Sequence, residues 1–174
     1  MTKFKNTFRI ESARLTEWDY HNPWWYYITI NTKNHIEYFG EIVNEMMILN
    51  ELGKVAKECL LEISNHFPNI ELDYFVIMPN HIHGIIIINS EVKTPDRASL
   101  QKHSLGLIIN QFKGSVKRWA NKNEHESFSW QSRFYDRIIR NEKELYNIRK
   151  YIEQNPLKWE LEKDIHENIY ESYE

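Results

Sequence analysis

The chain has 174 residues, of which 41% are hydrophobic and 14% aromatic, so one domain with its own core is expected, and five glycines and five prolines leave little for long disordered linkers. One cysteine, Cys59, excludes an internal disulfide and the usual thiolate-rich structural zinc sites, and fits a reducing intracellular setting. A net charge of −3 argues against nucleic-acid binding by the surface as a whole, but the charge is segregated: residues 160–174 are acidic, whereas 113–122 and 133–140 are basic.

Residues 1–22 read as an irregular arm, 23–160 as one domain and 161–174 as an acidic tail. Met1 to Arg9 is polar and lacks the apolar segment of a signal peptide. No apolar run approaches the ~18–20 residues that span a bilayer, so a cytoplasmic location is expected, at the nucleoid when bound to DNA. Trp24 to Ile30 is aromatic and β-branched and predicts a strand. Ile42 to Leu49 fits either a small strand pair or the lead into a helix. Leu52 to Phe67 carries apolar residues at helical spacing, and Pro68-Asn69 stops it. Ile70 to Met78 and His81 to Asn89 read as two strands joined at Pro79-Asn80, and 91–98 as a polar loop. Leu105 to Ala120 reads as a helix with Leu105, Ile108, Ile109, Phe112, Val116 and Trp119 inward, and Phe134 to Ile139 as a fourth strand. The last helix starts at Asn141, with Glu144 completing a capping box; Leu145, Ile148 and Ile152 form its buried stripe and Pro156 ends it. The order β-α-β-β-α-β-α predicts an α+β fold: a ferredoxin-like split βαβ antiparallel sheet with helices on one face, plus a C-terminal helix.

Two features carry chemistry. His81 and His83 are two apart on a strand, so their imidazoles share a face and can share a metal ion. A bare His-x-His at the start of a strand is as often structural. Tyr151 and Asn155 are four apart on the last helix and share one of its faces. Alone, this pair also fits a core-edge tyrosine and a helix-end asparagine. Together, the four define a mechanism for phosphodiester cleavage. His81, His83 and the Asn155 carbonyl would hold a divalent ion that leaves positions for phosphate oxygens, and Tyr151 would supply the nucleophilic hydroxyl.

The segments Val76 to Gly84, Trp130 to Asp136, Ile138 to Leu145 and Tyr151 to Pro156 resemble the REP-associated tyrosine transposases, relatives of the single-tyrosine insertion-sequence transposases. The resemblance runs from about Trp18 to Trp159, and four motifs in order make it specific. It implies an HUH nuclease fold and Mg2+ or Mn2+ on His81 and His83, with Asn155 as third ligand. It implies Tyr151 as the nucleophile that becomes linked to a DNA 5′-phosphate, and single-stranded DNA with hairpins, often repetitive extragenic palindromes, as the partner. Insertion-sequence enzymes usually carry Gln where this chain has Asn155, which favours the REP-associated branch. The segment before Trp24 matches less well. Those relatives exchange the tyrosine helix between subunits, so monomer and homodimer, and use of Tyr151 within or between subunits, stay open.

Lys113, Lys117 and Arg118 lie on the predicted polar side of the third-quarter helix, and Arg133, Arg137 and Arg140 flank the fourth strand. Each set fits phosphate contacts or a solvated face equally well. Of Trp24, Trp25, Tyr26 and Tyr27, alternation leaves at most two to stack on bases. Tyr135 is the second choice of nucleophile. Two other readings compete: a single-stranded DNA or RNA binding module of the same fold that does not cleave, and a metallohydrolase using His81 and His83 with activated water.

Overall fold

Alternating burial along the aromatic run sets the centre of the molecule. The computed structural model describes residues 3–4, 7–8, 18–90 and 103–162. Near the start, the two-residue strands β1 (Lys3–Phe4) and β2 (Thr7–Phe8) pair with each other. In β3 (Trp24–Asn31), Tyr26, Ile28 and Ile30 are fully buried while the residues between them face the opposite side of the sheet.

The stretch read two ways becomes a hairpin of β4 (Gly40–Val43) and β5 (Met46–Leu49), with positive φ at both turn residues, Asn44 and Glu45. Gly40 has φ +133°, and a Cβ there would lie 2.0 Å from the Ile48 carbonyl oxygen, so no other residue fits. Asn50 caps α1 (Glu51–Leu61) by accepting from the Gly53 amide. The single helix expected to Phe67 is broken at Glu62 and resumes as one turn, α2 (Ile63–His66). Strands β6 (Ile70–Ile77) and β7 (His81–Ile88) form the expected antiparallel hairpin, with an irregularity between Leu72 and Phe75. The predicted loop at 91–98 lies outside the described residues. Ser104 caps α3 (Leu105–Lys122), and β8 (Tyr135–Ile138) and α4 (Glu142–Glu153) follow.

The main sheet runs β6-β7-β3-β8, and every pairing in it is antiparallel. By order of appearance this is second, third, first, fourth: the ferredoxin-like split βαβ arrangement. Helices α1 and α3 cover one face through Leu52, Ala56, Leu60, Ile108, Ile109, Phe112 and Val116, against Tyr26, Ile28, Ile30, Ile82 and Ile86. Helix α4 lies on the other face, where Ile152 packs with Ile85, Ile87 and Ile139. Strand β7 is therefore buried on both sides, which is why it reads as a nearly unbroken isoleucine run.

The expected capping box is present in a shifted form. Asn141 Oδ1 accepts from the Glu144 amide, and Glu144 reaches back to the amide of Arg140. One expectation is corrected here: Pro156 does not end the helical structure. Helix α4 stops at Glu153, Gln154 forms a turn, and residues 155–162 are helical again. Proline is tolerated in the first turn of the new segment, where its missing N–H has no partner to lose. The rest of the acidic tail, 163–174, lies outside the described residues. Among the described residues no helix is long and apolar enough to cross a membrane.

Candidate active site

The register of β3 against β7 puts Thr29 opposite His83 and Asn31 opposite His81. Odd-numbered residues of β7 face α4, so both imidazoles open on the side that carries Ile85, Ile87 and the last helix. The two rings are 4.6 Å apart between centroids. The turn into residues 155–162 brings three more side chains over them. The Tyr151 ring lies 5.3 Å from that of His83, Asn155 hydrogen-bonds His81, and the Trp159 ring lies 5.7 Å from His81. Asn155 is buried, whereas Tyr151 is 39% exposed, so the phenol is supported on one side and open on the other.

Supporting groups fix the rings. Asn80 Nδ2 donates to the His35 carbonyl, which can only accept, so Asn80 Oδ1 faces His81 Nδ1 at 2.7 Å. That oxygen accepts the Nδ1 proton, so the Asn155 hydrogen bond falls to His81 Nε2. His83 Nδ1 lies 2.7 Å from the Tyr27 hydroxyl and 2.9 Å from Thr29 Oγ1, and the Tyr27 ring stacks on it. Burial pushes the Tyr27 phenol up to about 12, so it stays protonated at neutral pH. Burial likewise pushes His81 down to about 4, partly offset by the Asn155 hydrogen bond, and His83 down to about 3. Both imidazoles are therefore neutral at pH 7, the form that donates to a metal.

Among the described residues no group of three or more His, Cys, Asp or Glu side chains is set to hold a metal ion. The Asn155 amide, buried beside His81, could serve as a third protein donor. Two neutral imidazoles, both held at Nδ1, plus a buried amide beside His81 make a mixed N/O donor set that fits a divalent first-row ion or Mg2+. The sequence singled out His81, His83, Tyr151 and Asn155, but not Thr29, Asn80, Lys158 or Trp159. Thr29 depends on strand register, and Lys158 and Trp159 on the second helical segment. Asn80 looked like an ordinary turn residue.

The basic residues fall into two groups. Lys113 is a correction: it is buried rather than on a polar face, and its ammonium donates to the carbonyls of Gln131 and Ser132. Lys117 donates to the carbonyls of Glu126 and Phe128, so both lysines tie down the segment before β8. Arg118 is exposed and bonds Ser115. Arg133 lies two residues before β8. Arg137 is exposed on the α4 side and pairs with Glu144 at 2.6 Å. Tyr135, also on that side, lies 6.5 Å from Tyr27, while Tyr26 is wholly buried.

A ferredoxin-like sheet whose histidine pair faces a tyrosine from a terminal helix defines a class of protein built around a tyrosine–histidine centre. The chain belongs to the IS200-like transposases: that family matches residues 41–155. This bears out, at the level of the family, the relationship read from the four motifs. An uncharacterized protein of Haemophilus influenzae is 41% identical over 160 residues, covering 86% of this chain and 89% of that one. The fold is similar to that of a REP-associated tyrosine transposase bound to a REP hairpin, with a TM-score of 0.56 and 19% identity over 86% of this chain and 74% of that structure.

Proposed function

We propose that the protein is a divalent-metal-dependent single-stranded DNA endonuclease and strand transferase, with Tyr151 as the nucleophile. The observation that carries this reading is the meeting of Tyr151 with His83, and of Asn155 with His81, on one open side of the sheet. His81, His83 and Asn155 would hold Mg2+ or Mn2+, which when bound supplies a Lewis acid for the phosphate oxygens. Tyr151 Oη attacks the phosphorus, the Oη–P bond forms and the P–O3′ bond breaks. The phenolic proton leaves to water on the exposed side, and the departing 3′ oxygen takes up a proton. The product is a 5′-phosphotyrosine on Tyr151 and a free 3′ hydroxyl. The same steps reversed with another 3′ hydroxyl join strands without a nucleotide cofactor.

The burial of His81 and His83 keeps them uncharged near neutral pH, and the Tyr27 and Thr29 hydroxyls hold the His83 ring while Tyr151 remains accessible. The solved structure similar in fold holds a REP hairpin. Single-stranded DNA with a hairpin is accordingly the proposed substrate, in the REP-associated manner. Arg137, which lines the cleft with Tyr151, and Arg133, just before β8, are the proposed phosphate contacts, whereas Arg118 belongs to α3 on the opposite face of the sheet.

The test is formation of a denaturant-stable protein–DNA adduct. Labelled hairpin DNA from the gene's own flanks is incubated with Mn2+ or with EDTA. The wild-type chain is expected to form the adduct only with metal, and Tyr151→Phe to form none while still binding the DNA. Cleavage that survives Tyr151→Phe would replace this reading with water-mediated hydrolysis; binding with no cleavage by the wild type would leave a binding module.

A further inference from the structure

Two clefts open along α4, and the first of them adjoins the tyrosine. The first, about 640 Å³, lies between β8 and α4 and is lined by Tyr27, Tyr135, Arg137, Lys143 and Tyr151. The second, about 610 Å³, lies at the end of the sheet where β3 begins and is lined by Trp24, Trp25, Ile87, Ile139, Leu145 and Arg149, whose guanidinium lies 5.8 Å from the Trp25 ring. The two meet at Arg140 and Asn141, which line both. The path from Tyr151 back to Asn141 follows ten residues of helix, ~15 Å of rise.

The chemistry changes along this path. Near Tyr151 the walls carry the cations Arg137, Arg140 and Lys143, all exposed, against Glu144, which is held by Arg137 and by the Arg140 amide. At the far end Ile87, Ile139 and Leu145 give an aliphatic surface beside Arg149, which is paired with Asp73. Trp24 is 41% exposed, its indole N–H is already bonded to the Ile139 carbonyl, and Asn89, Ser90 and Asn141 stand at the edge. A cationic passage that opens into an aromatic, apolar pocket with a polar edge matches a phosphodiester strand that ends in a base.

We propose that this passage is a single-stranded DNA subsite: phosphates beside the scissile bond run past Arg137, Arg140 and Lys143, and a base a few nucleotides away enters the Trp24–Trp25 pocket. The proposal deepens the nuclease reading and rests on it for the position of the scissile phosphate. Charge complementarity and continuity with Tyr151 select this occupant over a free nucleotide, which would need the pocket but not the passage. The pocket would also make the chain selective at a position remote from the bond it cuts.

The experiment measures equilibrium binding by the full-length Tyr151→Phe protein in EDTA, so that no chemistry intervenes. The probes are labelled hairpin oligonucleotides from the gene's own flanks, with one abasic residue walked through each single-stranded flank. One abasic position is expected to weaken binding by roughly 5- to 150-fold. That step should disappear in Trp24→Ala and persist in Trp24→Phe, and Arg140→Ala should lower the salt slope by about one. A 5-iododeoxyuridine placed at that position should crosslink to Trp24 or Trp25 in the otherwise unaltered chain, a readout that does not depend on any Trp24 variant folding. A flat abasic scan, or a step that survives Trp24→Ala, overturns the subsite. The adduct assay separates the two readings: a step without any wild-type adduct removes the nuclease and keeps the subsite, and an adduct without a step does the reverse.

Discussion

At Asn80 a single amide decides which nitrogen of a neighbouring ring is available. Its nitrogen is committed to the His35 carbonyl and its oxygen to His81 Nδ1, so Asn80→Ala releases the His81 ring to turn or to move its proton. Under the proposed metal role, this change should weaken Mn2+ binding by about 10- to 100-fold, the usual effect of losing an outer partner of a metal-binding imidazole. Isothermal titration of the variant with Mn2+ measures it, and unchanged affinity would show that burial alone orients the ring. Lys113 makes the opposite point about charge. Its ammonium holds two main-chain carbonyls from a buried position, and burial pulls its pKa down. Lys113→Met should cost roughly 1–3 kcal/mol of stability, the range for leaving buried polar groups unpaired. The salt dependence of DNA binding should stay as it is, and a slope reduced by a full unit would return Lys113 to the phosphate contacts.

At the scale of elements, α4 is docked by its Leu145, Ile148 and Ile152 stripe and by polar contacts at its edges. Glu144 pairs with Arg137 and accepts the Arg140 amide, while Arg149 makes a two-pronged bond to Asp73 of β6 at 2.8 and 2.9 Å. The Arg140 amide and the two arginines hold the Glu144 carboxyl below the usual glutamate range. A carboxyl lowered in the folded state stabilises above its unfolded pKa, and that contribution is lost as pH falls through the folded value. Glu144→Gln is therefore expected to lose about 1 kcal/mol at pH 7, a modest figure because the pair is near solvent, and the gap to wild type should narrow between pH 7 and pH 3. Urea unfolding at the two pH values tests this, and a gap that is the same at both would mean that the carboxylate charge is not what matters. The same helix shows what the sequence could convey. Its start was legible in Asn141 and Glu144 because a cap is local chemistry, and Ile152 was legible by periodicity. The resumption of helix at 155 was not, because Pro156 signals both the end of one helix and the first turn of another. That restart carries Asn155 and Trp159 to His81 and Lys158 to the Tyr151 ring, 4.8 Å away. Spacing alone gave Tyr151 and Asn155 a common helix face, but the structure joins them across a turn.

For the molecule as a whole, the element order was enough to read the split βαβ sheet, and strand parity was enough to put His81 and His83 together. Parity could not say which face they share with which helix: that follows from the β3–β7 register and from α4 crossing to the side opposite α1 and α3. The result is a sheet with two unequal cores. The α1–α3 side contains most of the buried side chains, whereas the buried hydrophobic residues of the α4 side, among the described residues, are Ile85, Ile87, Ile139 and Ile152. The smaller core should open at lower free energy than the whole, because less apolar surface holds it. Amides of α4 should then exchange with deuterium by partial opening while those of β3 and β7 wait for global unfolding. Ile152→Ala removes the one fully buried α4 side chain and should cost about 2–5 kcal/mol, concentrated in that opening. Exchange in α4 should quicken sharply with little change in β3 and β7. Adduct formation should fall with the fraction of molecules in which Tyr151 is held against His83, although neither residue has been altered. Equal acceleration in α4 and the central strands would instead make the two cores one cooperative unit, with the tyrosine as firmly fixed as the sheet.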